Sequence, residues 1–271
     1  MKNLKKLLAV LLAGLMLLSL AACGGKDDKV KIGAIDGGGM DSINNEEHME
    51  HLSDSTNEKI SYNSLTAALM DLESGKIVGI GVEECVANYI AAHNEKIVVE
   101  MLPKITVTNF SMMTLDTNKE VYDILNNAIK DMKSDGTLDS LIENELKAYI
   151  ESDPVAKDLP HFDGARTIKI GVTGDLPPMD FVASNGKAAG FNIALLTEIA
   201  NRAQVNFELV QIETGSRPIA LSSNKVDAVF WTKSVKCTVC GAETAEKIDG
   251  TLVTESYFSD CLAGIALKSD K

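Results

Sequence analysis

Cysteine and histidine are the side chains here whose spacing tests most directly for chemistry. Cys237-Thr238-Val239-Cys240 is a single C-x-x-C. A zinc site needs four ligands, and no second C-x-x-C or nearby His completes one. A thioredoxin-like role needs that motif's own context. A local disulfide and free thiols remain as readings. Cys85 and Cys261 read as small core residues. The four His, at 48, 51, 93 and 161, are scattered. His48 and His51 share a helical face, but no carboxylate–His–Ser or carboxylate–His–Cys set goes with them. The expectation is no catalytic residue, no metal and no cofactor.

Other residues suit recognition instead. Asp175 sits in a turn after a strand and can accept a hydrogen bond from an ammonium or amide. It reads equally as a solvated turn residue. Arg217 follows Gly215-Ser216, and its planar fork suits a carboxylate. Its plain alternative is a solvent-facing helix Arg. Trp231, the single Trp, ends a buried strand, where it can stack on a ligand, hold an ammonium or pack in the core. Phe181 reads first as core. Gly37, Gly38 and Gly39 can present backbone N–H groups to an anion.

These residues need elements to carry them. Val30–Ile35, Ile77–Val82, Ile105–Leu115, Thr167–Val172, Asn206–Ile212 and Val226–Trp231 read as strands. Helical spacing covers Ser64–Glu73, Glu84–Ala92, Lys119–Lys133, Thr137–Tyr149, Gly190–Ala203 and Arg217–Ser223. Such alternation predicts an α/β fold with largely parallel sheets. A polar, Pro- and Gly-marked linker separates the halves at 151–165. Lys233–Asp249 carries no clear pattern, and Ser256–Leu267 reads as one extended run. Leu72–Ile80 and Leu221–Val229 echo each other as helix end, turn and buried strand.

The chain begins with a segment outside the fold. Lys2, Lys5 and Lys6 precede an apolar run, Leu7–Leu20, too short for a stable membrane span. The end, Leu20-Ala21-Ala22-Cys23, resembles the lipobox of bacterial lipoproteins, which implies lipidation at Cys23 and a membrane anchor. Residues 1–22 then form a signal peptide and 23–29 a tether. The whole chain carries 39 acids against 26 bases, for a net charge of −13. Loss of residues 1–22 makes it more negative still. Nucleic acid is excluded as a partner, because phosphate binding needs clustered Lys and Arg.

Thr167-Ile168-Lys169-Ile170-Gly171-Val172 through Pro177-Pro178-Met179-Asp180-Phe181 resembles the opening of the family 3 solute-binding proteins, the amino-acid receptors of ABC importers. Gly186-Lys187 with Gly190-Phe191-Asn192-Ile193, Arg217–Asp227 and Ser256-Tyr257-Phe258-Ser259 resemble that family's following segments. Ser61–Glu84 and Phe110–Tyr149 are similar to its later part, the second lobe and the closing helices. The order is therefore inverted: 30–104 as second lobe, 105–150 as the returning segment of the first, 151–165 as linker, 166–271 as main first lobe. A circular permutation gives this order, and so does a tandem remnant. Permutation is tolerated at surface sites. One complete set of elements without duplication favours one composite receptor.

The resemblance implies a periplasmic-binding-protein-like type II fold, two α/β lobes with a ligand cleft. It implies a monomeric, lipid-anchored, extracytoplasmic receptor for a small polar or amino-acid-like solute, partnered by ABC permease subunits. Asp175, Phe181, Arg217, Trp231, Thr232, Lys233 and Ser234 would line the cleft from one lobe, with Glu83, Gly38 and Gly39 from the other. Glu83 matches the family Asp that binds an α-amino group. After the strand ending at Trp231 the family places an Arg for the α-carboxylate. This chain has Thr232-Lys233-Ser234-Val235-Lys236 instead, with Lys233 as a substitute point charge. That puts a standard α-amino acid in doubt. The alternatives are a sensory or interaction lipoprotein that keeps the fold without transport, and an enzyme on the same scaffold. One crossover is expected, near Lys104, where the family has two.

Overall fold

The computed structural model describes residues 29–35, 57–101, 106–239 and 241–269. The export segment, Cys23, the tether as far as Asp28, Gly37–Gly39, His48, His51, Lys104 and Cys240 lie outside them. In chain order, β1 (Val30–Ile35) and β2 (Asn57–Tyr62) precede α1 (Leu65–Glu73), β3 (Gly79–Glu83), α2 (Glu84–His93) and β4 (Ile97–Met101). Then come β5 (Thr106–Leu115), α3 (Lys119–Asp135) and α4 (Thr137–Leu141), which continues in further helical turns to Tyr149. The second half holds β6 (Thr167–Val172), β7 (Asp175–Leu176), β8 (Asp180–Val182), β9 (Ala188–Ala189), α5 (Phe191–Ala203), β10 (Asn206–Gln211) and α6 (Arg217–Ser222). It ends with β11 (Ala228–Cys237), β12 (Glu243–Ala245), β13 (Thr251–Val253), β14 (Phe258–Asp260) and β15 (Leu262–Leu267).

Local sequence explains the helices. In α3 the stripe Val121, Leu125, Ala128, Ile129 and Met132 is buried, and Gly136 ends the helix at φ +79°. That left-handed value suits Gly, which has no Cβ to clash. In α1 the buried face is Leu65, Ala68 and Leu72, and the Ser64 hydroxyl caps the helix by accepting from Ala67 N at 3.2 Å.

The strands form two main sheets, in the orders β2-β1-β3-β15-β4 and β10-β6-β11-β5-β13. In the second, β12 pairs with β11 and β14 with β5. We call them the five-stranded and the seven-stranded lobe. The expectation of largely parallel sheets is corrected. β1–β2, β1–β3, β6–β10 and β6–β11 are parallel, but β5 runs antiparallel to β11, β13 and β14, and β15 antiparallel to β3 and β4. The antiparallel strands are the ones beside the lobe crossovers, where no helix intervenes to return the chain in the same direction.

The single crossover is corrected as well, and with it the 166–271 boundary. The chain passes between sheets from β4 to β5 and again from β14 to β15, so Leu262–Leu267 belongs to the five-stranded lobe. Ser256–Leu267 reads as one extended run because the break is made by a side chain. Asp260 accepts from Cys85 N at 2.9 Å and from Cys261 N at 2.8 Å, and Glu84 N donates to Cys261 O at 2.9 Å. Burial raises the Asp260 carboxyl and pushes the Cys85 thiol well up. Cys261 is half-buried at this crossover rather than in the core.

The 151–165 stretch is irregular but docked. Leu159 and Phe162 pack on the core, and the Asn206 amide bonds Phe162 N at 2.8 Å and Phe162 O at 3.0 Å. Asp153 accepts from the Tyr89 hydroxyl at 2.5 Å, on the five-stranded lobe. Asp158 takes Lys187 Nζ at 2.7 Å, on the seven-stranded lobe. The linker thus touches both lobes.

Candidate functional site

The strand ends that meet between the lobes place the polar residues. β6 ends at Val172, and Thr173-Gly174-Asp175 follow. Behind them Asp180 is 1% exposed and collects five donors. Its Oδ1 accepts from Thr173 N at 3.1 Å, Thr173 Oγ1 at 2.6 Å and Gly174 N at 2.7 Å. Its Oδ2 accepts from Asn192 Nδ2 at 3.0 Å and Trp231 Nε1 at 2.8 Å. A buried carboxylate is tolerable when it is this fully bonded.

Trp231 sits at φ +68°, where the β5–β11 register shifts between Val229 and Thr232. A bulky residue in the left-handed region is strained, and a bulge at a sheet rim re-aims the side chains after it. The Asp180 bond and edge-on contact with Phe110, with centroids 5.2 Å apart, hold the indole in the core. The structure thus places Trp231 in the interior rather than as a cleft wall. The Thr232 hydroxyl beyond the bulge is buried and has no hydrogen-bond partner, as do Tyr257 Oη and Asn192 Oδ1. Ser234 Oγ accepts from Asn109 Nδ2 at 3.4 Å.

Lys233 is the next residue, 8% exposed, and its Nζ donates to Glu83 Oε1 at 2.5 Å. Glu83, also 8% exposed, ends β3 and starts α2, so the pair joins the two lobes. Lys233 Nζ lies 5.2 Å from the Phe110 ring centroid, a cation–π contact. Two residues 150 positions apart in sequence are thus brought together and neutralise each other.

Arg217 is buried within the seven-stranded lobe and is not solvent-facing. Its Nε donates to Thr214 O at 3.0 Å, its Nη1 to Phe230 O at 3.0 Å, and its Nη2 lies 3.6 Å from Glu246 Oε2. It secures the strand before the bulge. Phe181 is partly buried, its ring 6.3 Å from that of Tyr89 across the lobes. Gly38, Gly39 and Cys23 lie outside the described residues.

Asp175 does face the opening between the lobes. Its Oδ2 accepts from Leu65 N at 3.1 Å, at the start of α1 on the opposite lobe. Burial, and then the charge of Asp180, raise its carboxyl. Beside it lies a cavity of about 350 Å³ lined by Asn63, Ser64, Thr173, Asp175, Gln211, Ile212, Glu213 and Thr214. Asn63 and Ser64 come from one lobe and the other six from its partner. Asn63 Nδ2 reaches Glu213 Oε2 at 3.5 Å, and Gln211 Nε2 donates to Thr173 O at 3.0 Å. Of the described residues singled out from sequence, Asp175 alone lines this cavity. Asn63, Gln211 and Glu213 were not foreseen. Each follows a strand end or closes one, and polarity at a strand end is too common to mark a site.

Among the described residues, no group of three or more His, Cys, Asp or Glu is placed to hold a metal ion. No described helix is long and apolar enough to cross a membrane.

Residues 168–237 match the profile of the bacterial extracellular solute-binding proteins, family 3. The segment holds the motifs from Ile168 to Asp227 that carry the resemblance in the second half, and Ser256–Ser259 lies beyond it. No curated protein matches the chain. Among solved structures, the ligand-binding component of an ABC-type import system from Staphylococcus aureus, with zinc bound, is 11% identical, with a TM-score of 0.41, over 89% of this chain and 66% of that one. The ligand-binding core of GluR0 in complex with L-glutamate is 11% identical, with a TM-score of 0.39, over 91% and 87%. Arginine-bound domain 1 of TmArgBP, a Phe57Trp mutant, is 32% identical over 23% of this chain and 49% of that one, with a TM-score of 0.23. Two α/β lobes, two crossovers and a polar cavity between the lobes agree with the two-lobed α/β fold that the resemblance implies.

Proposed function

We propose that this chain, whose residues 168–237 match the profile of the family 3 extracellular solute-binding proteins, is a lipid-anchored, extracytoplasmic receptor for a small polar or amino-acid-like solute. Cys23 carries the anchor, and ABC permease subunits are its partner. The observation that carries this reading is the polar cavity walled by both lobes. A solute there touches both lobes at once, so its binding free energy goes into closing them. The two crossovers supply the hinge.

The order of the elements reads as a circular permutation. The five-stranded lobe comes first in the chain but takes its strand β15 from the chain's end. One set of strands builds both sheets, and 151–165 joins what would otherwise be the two termini. This supports a composite receptor over a tandem remnant.

The experiment is a thermal-shift screen of the purified protein against amino acids, amines, sugars and small organic acids. A solute at 100 times its Kd adds about 2.7 kcal/mol. That corresponds to roughly 5–10 °C for a chain of this size. No shift across the panel would overturn transport and leave the interaction-lipoprotein reading.

A further inference from the structure

The cavity between the lobes has a marked imbalance of charge. Asp175 and Glu213 bring two carboxylates to its wall, Asn63 and Gln211 bring amides, and among the described residues no Lys or Arg lines it. The two cations singled out from the sequence are already committed. Lys233 is bound to Glu83 and shielded from water. Arg217 is spent on two carbonyls and Glu246. Neither is left to grip a carboxylate, and an anionic group entering the cavity would meet two like charges on its wall.

We propose that the solute of this cleft is a small organic cation, an amine carrying hydroxyl or amide groups and no carboxylate, held between Asp175, Glu213 and Asn63. The proposal rests on the solute-receptor reading and narrows it. Ammonium donors suit carboxylate acceptors, and the amides and the Ser64 and Thr173 hydroxyls suit a neutral polar tail. The volume, about 350 Å³, is at the lower end of the roughly 300–1,000 Å³ range of small-molecule sites. Burial already raises the Asp175 carboxyl, and a cation beside it would relieve that cost. Closure then has a simple cause. The cation bridges Glu213 on one lobe to the Asn63 carbonyl oxygen on the other.

The test is isothermal titration calorimetry of the full protein near pH 7.5 with three probes of similar length: 4-aminobutanol, 4-aminobutyrate and butane-1,4-diol. The amino alcohol is expected to bind, with 4-aminobutyrate and the diol at least about tenfold weaker. Glu213→Gln and Asp175→Asn should each weaken the amino alcohol about tenfold or more, with folding checked by the melting temperature. Binding of 4-aminobutyrate or an α-amino acid as tight as the amino alcohol, and lost in Lys233→Met, would overturn the cation assignment while keeping the receptor reading. Amine binding unchanged by both cavity variants would overturn this site. No binding of any probe, nor of any solute in the broader screen, would overturn both.

Discussion

Each lobe contains the same helix–turn–strand unit, and the two units end differently. In the five-stranded lobe, α1 ends at a left-handed Gly75, φ +74°; in the seven-stranded lobe, α6 ends at a left-handed Asn224, φ +55°. Lys76 N and Ile77 N both return to Asp71 O, as Lys225 N and Val226 N both return to Ala220 O. Val78 N then bonds Lys31 O of the neighbouring strand, and Asp227 N bonds Lys169 O. Beyond that point they diverge. β3 stops at Glu83 and turns into α2, whereas β11 bulges at Trp231 and runs on to Cys237. One ending presents a carboxylate and the other an ammonium, and the two endings meet. A shared backbone unit thus carries opposite charges into the cleft because one strand bulges and the other does not.

The bulge is the sharpest place to break this comparison. Asp180→Ala orphans Trp231 Nε1, Asn192 Nδ2 and two backbone N–H groups in the interior. It is expected to cost upwards of about 5 kcal/mol, comparable with a domain's whole stability. Near-ultraviolet circular dichroism of the single Trp should lose its fixed signal, and an unchanged signal would show that Asp180 does not hold the bulge. Next in size is Lys233→Met, which leaves Glu83 buried without its cation. The expected loss is about 3–5 kcal/mol in denaturant unfolding. Lys233→Met with Glu83→Leu should recover most of it, and a double variant no better than the single would argue against the pair. The turns are the smallest effect. Nothing lies within 4 Å of a Cβ added at Gly75, so Gly75→Ala tests conformation alone. Gly75→Ala and Asn224→Ala are each expected to cost about 1 kcal/mol, and Asn224→Gly to be near neutral. A loss at Gly75 alone would break the equivalence of the units.

The repeat between Leu72–Ile80 and Leu221–Val229 was readable because local chemistry makes it: a buried Leu, a residue tolerant of positive φ, then an apolar strand. The stripe of α3 was readable for the same reason, through its period. Trp231 was not. Its sequence neighbours suggest a strand end, and its burial follows from Asp180, 51 positions away. Arg217 illustrates the same limit, since a helix-start Arg looks solvent-facing until Phe230 O is brought to it. Glu83 and Lys233 were both picked out as polar residues of the cleft through the resemblance. That they bond each other depends on the approach of two lobes.

Length, charge and periodicity suffice for the α/β class, the helix faces and the repeated unit, because these depend on residues within one or two turns of each other. The pairing of β15 with the five-stranded lobe, the burial of Lys233 and the composition of the cavity wall belong to long-range contacts. A free-energy cost such as burying a charge is decided by what lies opposite it, and neighbours along the chain do not report that.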